Sequence, residues 1–207
     1  MRTRVRHTTV MAAAPAAAPW WHAHTREIPD GPHYHEVYRE PSGFRLLVGD
    51  LAAANDTASL DAERVTSIVN CCAASCGADA AQWFPRAGAA YAAIFTEDAF
   101  GATDPNLLAP GAPGHAQDPT AQWPAALLVL REARARGETA LVHCAWGINR
   151  SVTTACTFLV AAGAFASFAD ALAAVKAARP QAGPHAQYVA WAEAFLASGR
   201  AARFAAP

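Results

Sequence analysis

Residues 138–151 read Glu-Thr-Ala-Leu-Val-His-Cys-Ala-Trp-Gly-Ile-Asn-Arg-Ser, and they decide more about this chain than any other stretch. The run Glu138–Val142 is short, apolar and strand-like. The run from Arg150 to Ala162 is helical. Between them stand Cys144, five residues, and Arg150, a loop of the length that wraps one phosphate. A phosphate held there faces the N-terminus of the helix, where free backbone N–H groups and the positive end of the dipole converge. The same surroundings favour the thiolate of Cys144, the form of a cysteine that attacks. Arg150 adds a planar fork that grips two phosphate oxygens at once.

Strand patterns near 44–49, 65–71, 91–95 and 139–143 alternate with helical ones. That alternation predicts an α/β fold: a central mixed, mostly parallel sheet flanked by helices. Residues 99–120 hold four prolines and three glycines and read as a long loop. Thr120 is the expected cap of the next helix, with Pro124 in its first turn and Gly137 just past its end. After the Cys144–Arg150 stretch, Val152, Ala155, Cys156, Leu159 and Val160 follow the spacing of a buried helix face. Ser167 and Asp170 form a capping-box pattern for a helix that stops before Pro180. Tyr188, Trp191 and Phe195 line one face of a last helix ending near Gly199, an aromatic stripe that reads as core.

At 207 residues the chain is expected to hold one domain of 41–199, an N-terminal arm of 1–40 and a short tail of 200–207. The first ten residues carry three arginines and no acid, and an alanine-proline run follows. That arm reads as disordered, with an organellar transit peptide as the alternative. His22, His24, His33 and His35 show no metal-ligand spacing. Net charge is −1, which argues against a general nucleic-acid binder and gives no membrane-surface signal. No stretch is apolar for the length of a membrane span. Cys71, Cys72, Cys76, Cys144 and Cys156 make an odd count that fits a reducing compartment rather than a disulfide scaffold. Neither a zinc pattern nor any other cofactor signature is visible.

The stretch His143, Cys144, Gly147, Arg150, Ser151 resembles the signature of the cysteine-based protein phosphatases. Further segments resemble the atypical dual-specificity branch: Leu46–Asp50, Val65–Asn70, Tyr91–Asp98, and Ala178-Arg179-Pro180 with Pro184. His185 stands where that branch usually has Asn, a departure read as structural. The resemblance spans about residues 43–198.

It implies a metal-independent enzyme in which Cys144 is the nucleophile and forms a phosphocysteine. Ala145, Trp146, Gly147, Ile148, Asn149 and Arg150 would bind the phosphoryl group. Gly147 lets the backbone turn its amides inward, Ser151 donates to the Cys144 sulfur, and His143 orders the loop. Two readings of Trp146 stand: a wall of the pocket or a packing residue. Asp98, at the end of its strand with the family's spacing from Tyr91, is the implied general acid, with Glu97, Asp104 and Asp118 as rivals. The stretch from Asp98 to Cys144 is longer than the family usually shows, and the excess falls in the Pro/Gly-rich loop. Some relatives guard the thiolate with a nearby cysteine. Cys71 and Cys72 are the candidates for that role, with ordinary buried cysteine as the alternative.

The expected function is protein phosphatase activity on phosphotyrosine and phosphoserine/threonine. The loop carries no second cation to favour phosphoinositides. Asn149 also occurs in RNA 5′-triphosphatase relatives, but Ser151 and Asp98 favour a protein substrate. A non-catalytic phosphopeptide-binding module is the third reading. The partner expected is a phosphorylated protein, with no nucleic acid and no membrane span, and the location cytoplasmic or nuclear, with organellar import through the Arg/Ala-rich N-terminus as the alternative.

Overall fold

The computed structural model describes residues 32–73, 90–94 and 118–205. The chain divides into Met1–Asp30 and Gly31–Pro207, and the described residues all belong to the second unit. In chain order its elements are β1 (Tyr34–Arg39), β2 (Arg45–Gly49), α1 (Leu51–Asn55), α2 (Thr57–Ala62), β3 (Val65–Asn70), β4 (Ala90–Ala93), α3 (Trp123–Ala135), β5 (Thr139–His143), α4 (Arg150–Ala161), α5 (Phe168–Ala178) and α6 (Ala186–Ala197). A 3₁₀ turn, Ala202–Phe204, follows.

The five strands form one sheet in the order β1-β2-β5-β3-β4. Strands β2, β5, β3 and β4 run parallel, and β1 is added antiparallel at one edge. This is the mixed, mostly parallel sheet expected from the sequence. β5 is central and all five of its residues are buried, which explains its unbroken apolar run. Leu141 turns to a smaller cluster with Leu47, Leu60, Val65 and Ile68 beneath α1 and α2. Ala140 and Val142 turn to the larger cluster beneath α3, α4, α5 and α6. In a strand alternate side chains serve opposite faces, so one short sequence feeds two cores.

Two stretches read from sequence as lying outside the domain contribute to it. β1 falls within residues 1–40, pairs with β2 and buries Val37. Phe204, in the last eight residues, is 1% exposed and joins the larger core. The cap of α3 also differs. Thr120 gives its N–H to Asp118 Oδ1 at 2.8 Å, a local turn, and the helix starts after Gln122, which makes no side-chain cap bond. Asp118 thus closes a turn ahead of the helix, and among the described residues no side chain caps its first turn. Pro124 in the first turn and Gly137 (φ +66°) after the helix stand where expected.

α4 is buried nearly all round. Thr153, Thr154, Thr157 and Phe158 are covered as fully as Val152, Ala155, Cys156 and Leu159, while Val160 is half-buried. The reason is its central place in the helical layer, with α5 and α6 packed on it and the sheet beneath. Two of its threonine hydroxyls bond within the turn, Thr153 Oγ1 donating to Asn149 O at 3.0 Å and Thr157 Oγ1 to Thr153 O at 2.8 Å, and Thr154 Oγ1 accepts from Trp123 Nε1 at 3.1 Å. Ser167 caps α5, accepting from Asp170 N at 3.1 Å and donating to Asp170 Oδ2 at 2.6 Å. Among the described residues no helix is long and apolar enough to cross a membrane.

Candidate active site

β5 ends between its two parallel neighbours, with His143 in register with Gly49 on one side and Asn70 on the other. The loop 144–149 leaves from there and runs straight into α4. It lies at the carboxyl ends of the parallel strands, where open α/β sheets place their ligands.

Donors from outside fix the loop's backbone. Leu51 N donates to Ala145 O at 3.3 Å, Arg179 Nη2 to Trp146 O at 3.4 Å, Arg179 Nε to Gly147 O at 2.7 Å, and Gly183 N to Ile148 O at 3.0 Å. Asn149 O accepts from Thr153 N at 2.9 Å. Four successive carbonyls are thus turned away from the loop's interior. In a planar trans peptide the N–H of the next residue points opposite to the carbonyl. The N–H groups of Trp146, Gly147, Ile148 and Asn149 therefore face inward, an anion cradle of the kind formed by successive amides. Gly147 makes the turn with φ +65°. A Cβ there would lie 2.7 Å from Gly49 O and would meet Arg179 Nη2, so both the torsion and the space require glycine.

Cys144 sits at the floor, 1% exposed. Its sulfur accepts from Gly147 N at 3.2 Å and lies 3.3 Å from Ser151 Oγ. Hydrogen bonds to a sulfur stabilise its charged form. Arg150, the first residue of α4, is 2% exposed beside this floor, and Ser151 is fully buried. Thiol, guanidinium, hydroxyl and inward amides therefore belong to one loop at a helix N-terminus. That arrangement can hold a tetrahedral dianion beside a sulfur.

His143 is 1% exposed. Burial pushes its pKa down, against an opposing hydrogen bond to the Cys144 backbone and with help from the Arg150 charge, to about 4. Its ring is therefore neutral at physiological pH. His143 O accepts from Cys71 N at 2.8 Å, tying the loop's entry to the end of β3. Cys71 donates from Sγ to Thr154 Oγ1 at 3.5 Å, and burial pushes its thiol up to about 12. Among the described residues the cysteines are all free, and no group of three His, Cys, Asp or Glu is placed to hold a metal ion.

The structure brings together Cys144, Arg150, Ser151, His143 and the loop residues Ala145, Trp146, Gly147, Ile148 and Asn149. Trp146 is half-buried. Asp98, Glu97 and Asp104 lie outside the described residues, as does Cys76. Asp118 is exposed and engaged with Thr120.

One support of the loop, Arg179, was not assigned a role from sequence, and Asn149 has a contact beyond the phosphoryl-binding role expected of it. Arg179, 1% exposed, clamps two loop carbonyls from the far end of α5. Asn149 presents its side-chain oxygen to His185 N at 2.9 Å. This bond comes from the backbone N–H at the position where His stands in place of the usual Asn, so it does not depend on that side chain. The buried, lone arginine before Pro180 was the available signal for Arg179, but its partners are more than 30 residues away in sequence.

Comparisons with known proteins agree with this geometry. The family model described as dual specificity phosphatase, catalytic domain, matches residues 52–195. Dual specificity protein phosphatase 22 of Homo sapiens is 35% identical over 79 residues, 38% of this chain and 42% of that protein. Dual specificity protein phosphatase 22-B of Danio rerio is 41% identical over 56 residues, 27% of this chain and 30% of that protein. The chain thus aligns with less than half the length of these curated relatives. Among solved structures, human DUSP28 superposes with a TM-score of 0.61 at 23% identity, covering 83% of this chain and 98% of that one. A mouse putative dual specificity phosphatase complexed with zinc tungstate gives 0.60 at 23% identity, covering 94% and 98%.

Proposed function

This chain belongs to the dual specificity phosphatase family, and from that premise we propose that it hydrolyses phosphotyrosine and phosphoserine/threonine in proteins through a phosphocysteine on Cys144. The observation that carries the reading is the loop itself: outward carbonyls, inward amides, a buried sulfur that accepts from Gly147 N and lies against the Ser151 hydroxyl, and a buried arginine at the loop's end.

The phosphoryl dianion seats on the inward N–H groups of the loop, and the Arg150 fork takes two of its oxygens. The Cys144 thiolate attacks phosphorus in line with the leaving oxygen, the S–P bond forms, and the P–O ester bond breaks. Asp98, as general acid, gives its proton to the departing oxygen. A water then attacks the phosphocysteine and loses its proton to the Asp98 carboxylate. The S–P bond breaks, and Ser151 Oγ–H steadies the thiolate that leaves. Inorganic phosphate departs. The three equatorial oxygens flatten into one plane in the transition state of each step, so one fixed cradle serves both.

A protein substrate fits a loop whose side chains at 145–149 carry no charge, since a second phosphate on a lipid headgroup would call for a further cation. Residues 41–199 are proposed as the catalytic domain, with β1 and the 3₁₀ turn packed onto it. A reducing location such as cytoplasm or nucleus suits a chemistry that needs Cys144 reduced.

The test is hydrolysis in EDTA and reductant of p-nitrophenyl phosphate and of phenyl phosphate, whose leaving group is poorer. Cys144→Ser should abolish both. Asp98→Asn should slow phenyl phosphate more than p-nitrophenyl phosphate, within the roughly 10²–10⁴-fold range of general-acid catalysis. Equal turnover of both substrates by Asp98→Asn would remove Asp98 from the mechanism. Turnover surviving in Cys144→Ser would remove the phosphocysteine.

A further inference from the structure

Arg179 carries a buried charge, and its partners are unusual. Its Nε and Nη2 go to the carbonyls of Gly147 and Trp146, and its Nη1 lies 2.9 Å from Nδ1 of His35 on β1. Among the described residues no carboxylate hydrogen-bonds it. The buried Asp50 acts on it only through its field. A guanidinium only donates, so His35 must accept, with Nδ1 bare and the proton on Nε2. We propose that Arg179 and His35 form a positioning pair for the loop, in which neutral His35 holds the guanidinium against the loop carbonyls and protonation of His35 loosens the grip on the phosphoryl group.

The proposal rests on the phosphatase reading of the loop. His35 shares a face of β1 with Val37, whose side chain joins the core formed with α5. Opposite it on β2 is Val48. The charged groups of the surrounding elements are otherwise committed. Asp170 of α5 is bonded to Ser167, and Lys176 is exposed. Asp50, beyond β2, accepts from Ala53 N and pairs with His33 at 3.0 Å. Tyr34 reaches Glu63, and Glu36 pairs with Arg39 and Arg45. Burial lowers the pKa of His35, and the Arg179 charge lowers it further, so the ring is neutral at pH 7. Acidification puts two cations face to face and removes the acceptor that Nη1 has among the described residues. Arg179 must then shift, and the carbonyls that turn the loop amides inward shift with it.

The sign of the effect separates this from ordinary electrostatics. A histidine gaining charge near an anion site tightens anion binding by attraction. A positioning pair weakens it. Sulfate stays a dianion over the range of interest, and Cys144→Ser removes the thiol's own ionisation. Sulfate affinity of Cys144→Ser, followed by calorimetry between about pH 7.5 and 5, should weaken about tenfold, the worth of one charge-assisted hydrogen bond. Adding His35→Gln, whose amide oxygen accepts without titrating, should leave affinity at the upper pH within about twofold and flatten the profile. In active protein, His35→Gln should likewise remove one ionisation from the acid limb of kcat/KM. Affinity that tightens or stays level on acidification in Cys144→Ser overturns the proposal, and so does weakening that persists with His35→Gln. If Cys144→Ser binds no sulfate at any pH and the wild type hydrolyses nothing, the phosphatase reading falls and takes the pair with it. Hydrolysis with a sulfate profile of the wrong sign removes only the pair.

Discussion

Gly147→Ala puts the loop's construction to a quantitative test. A non-glycine residue at φ +65° costs about 1–2 kcal/mol. The added Cβ would also stand 2.7 Å from Gly49 O and 2.8 Å from Gly49 C, both backbone atoms of β2 that its ladder with β5 holds in place. Its third contact, Arg179 Nη2, is the atom that clamps Trp146 O. Relief therefore comes from the loop, by moving Gly147 O off Arg179 Nε. That leaves a buried guanidinium donor unsatisfied, for about 1–3 kcal/mol more. The total is about 3 kcal/mol if part of the strain relaxes. For a domain of this size it corresponds to a Tm lower by about 6–12 °C. The chemistry suffers separately, because the amide donated to Cys144 Sγ and at least one neighbour leave the cradle. Loss of one such preorganised donor is worth about 10²–10³-fold in kcat. Differential scanning fluorimetry and p-nitrophenyl phosphate kinetics read the two effects. A Tm that holds while kcat collapses means that the loop absorbs the strain locally. A variant within about twofold of wild type in kcat and with an unchanged Tm would refute the reasoning, since neither torsion nor contact would then matter.

Arg150→Lys keeps the charge but loses the planar fork. Steady-state kinetics should show kcat down about 10²–10³-fold, and wild-type kcat would mean that Arg150 does not hold the equatorial oxygens. His143, held at about 4 in the fold, titrates near 6.5 when unfolded. Its folded value is the lower one, so its contribution is intact above pH 6.5. As pH falls towards 4 the unfolded state takes up a proton that the fold refuses, and stability drops by about 3 kcal/mol. Urea midpoints at pH 7 and 4.5 should diverge less in His143→Asn than in wild type, and an equal divergence would contradict the buried neutral ring. Cys71 and Cys156 are buried, and their thiols are pushed up to about 12. Iodoacetamide at pH 7.5 should therefore leave both unlabelled until the chain is unfolded, as peptide mass mapping will show.

What the sequence discloses about this fold follows the range of the forces involved. β5, the loop and α4 are legible because strand, turn and helix there are local outcomes: an apolar run buried on both faces, a glycine with left-handed torsion, and a helix that starts where an arginine and a serine must face inward. β2, β3 and β4 are legible for the same reason, each within a residue or two of its expected bounds. β1 is not. Tyr34-His-Glu-Val-Tyr-Arg buries one side chain fully, Val37, and its polar residues are those an edge strand needs to discourage further pairing. Its register comes from β2, not from itself. Thr120 shows a boundary that composition alone does not decide, because the chain makes a turn at Asp118 and the helix starts only after Gln122. Val160 has the periodicity of a buried position, but the flank of α4 that the neighbours cover is the one with the threonines.

The site divides along the same line. Cys144, Gly147, Arg150 and Ser151 form a local motif, yet the motif does not by itself aim the amides. That is done by Leu51 after β2, Arg179 after α5 and Gly183 before α6, each supplying a donor to a different stretch of loop backbone. None of the three has a chemical role that its residue type announces. Arg179 is the instructive case: a charge only 1% exposed is costly, and two neutral carbonyls with an imidazole are modest compensation for it. Such an arrangement persists when holding the loop in one geometry outweighs the desolvation it incurs. Stability lost by a sequence that buries Arg179 and catalysis gained by a loop that cannot turn its amides outward are then two consequences of the same contacts.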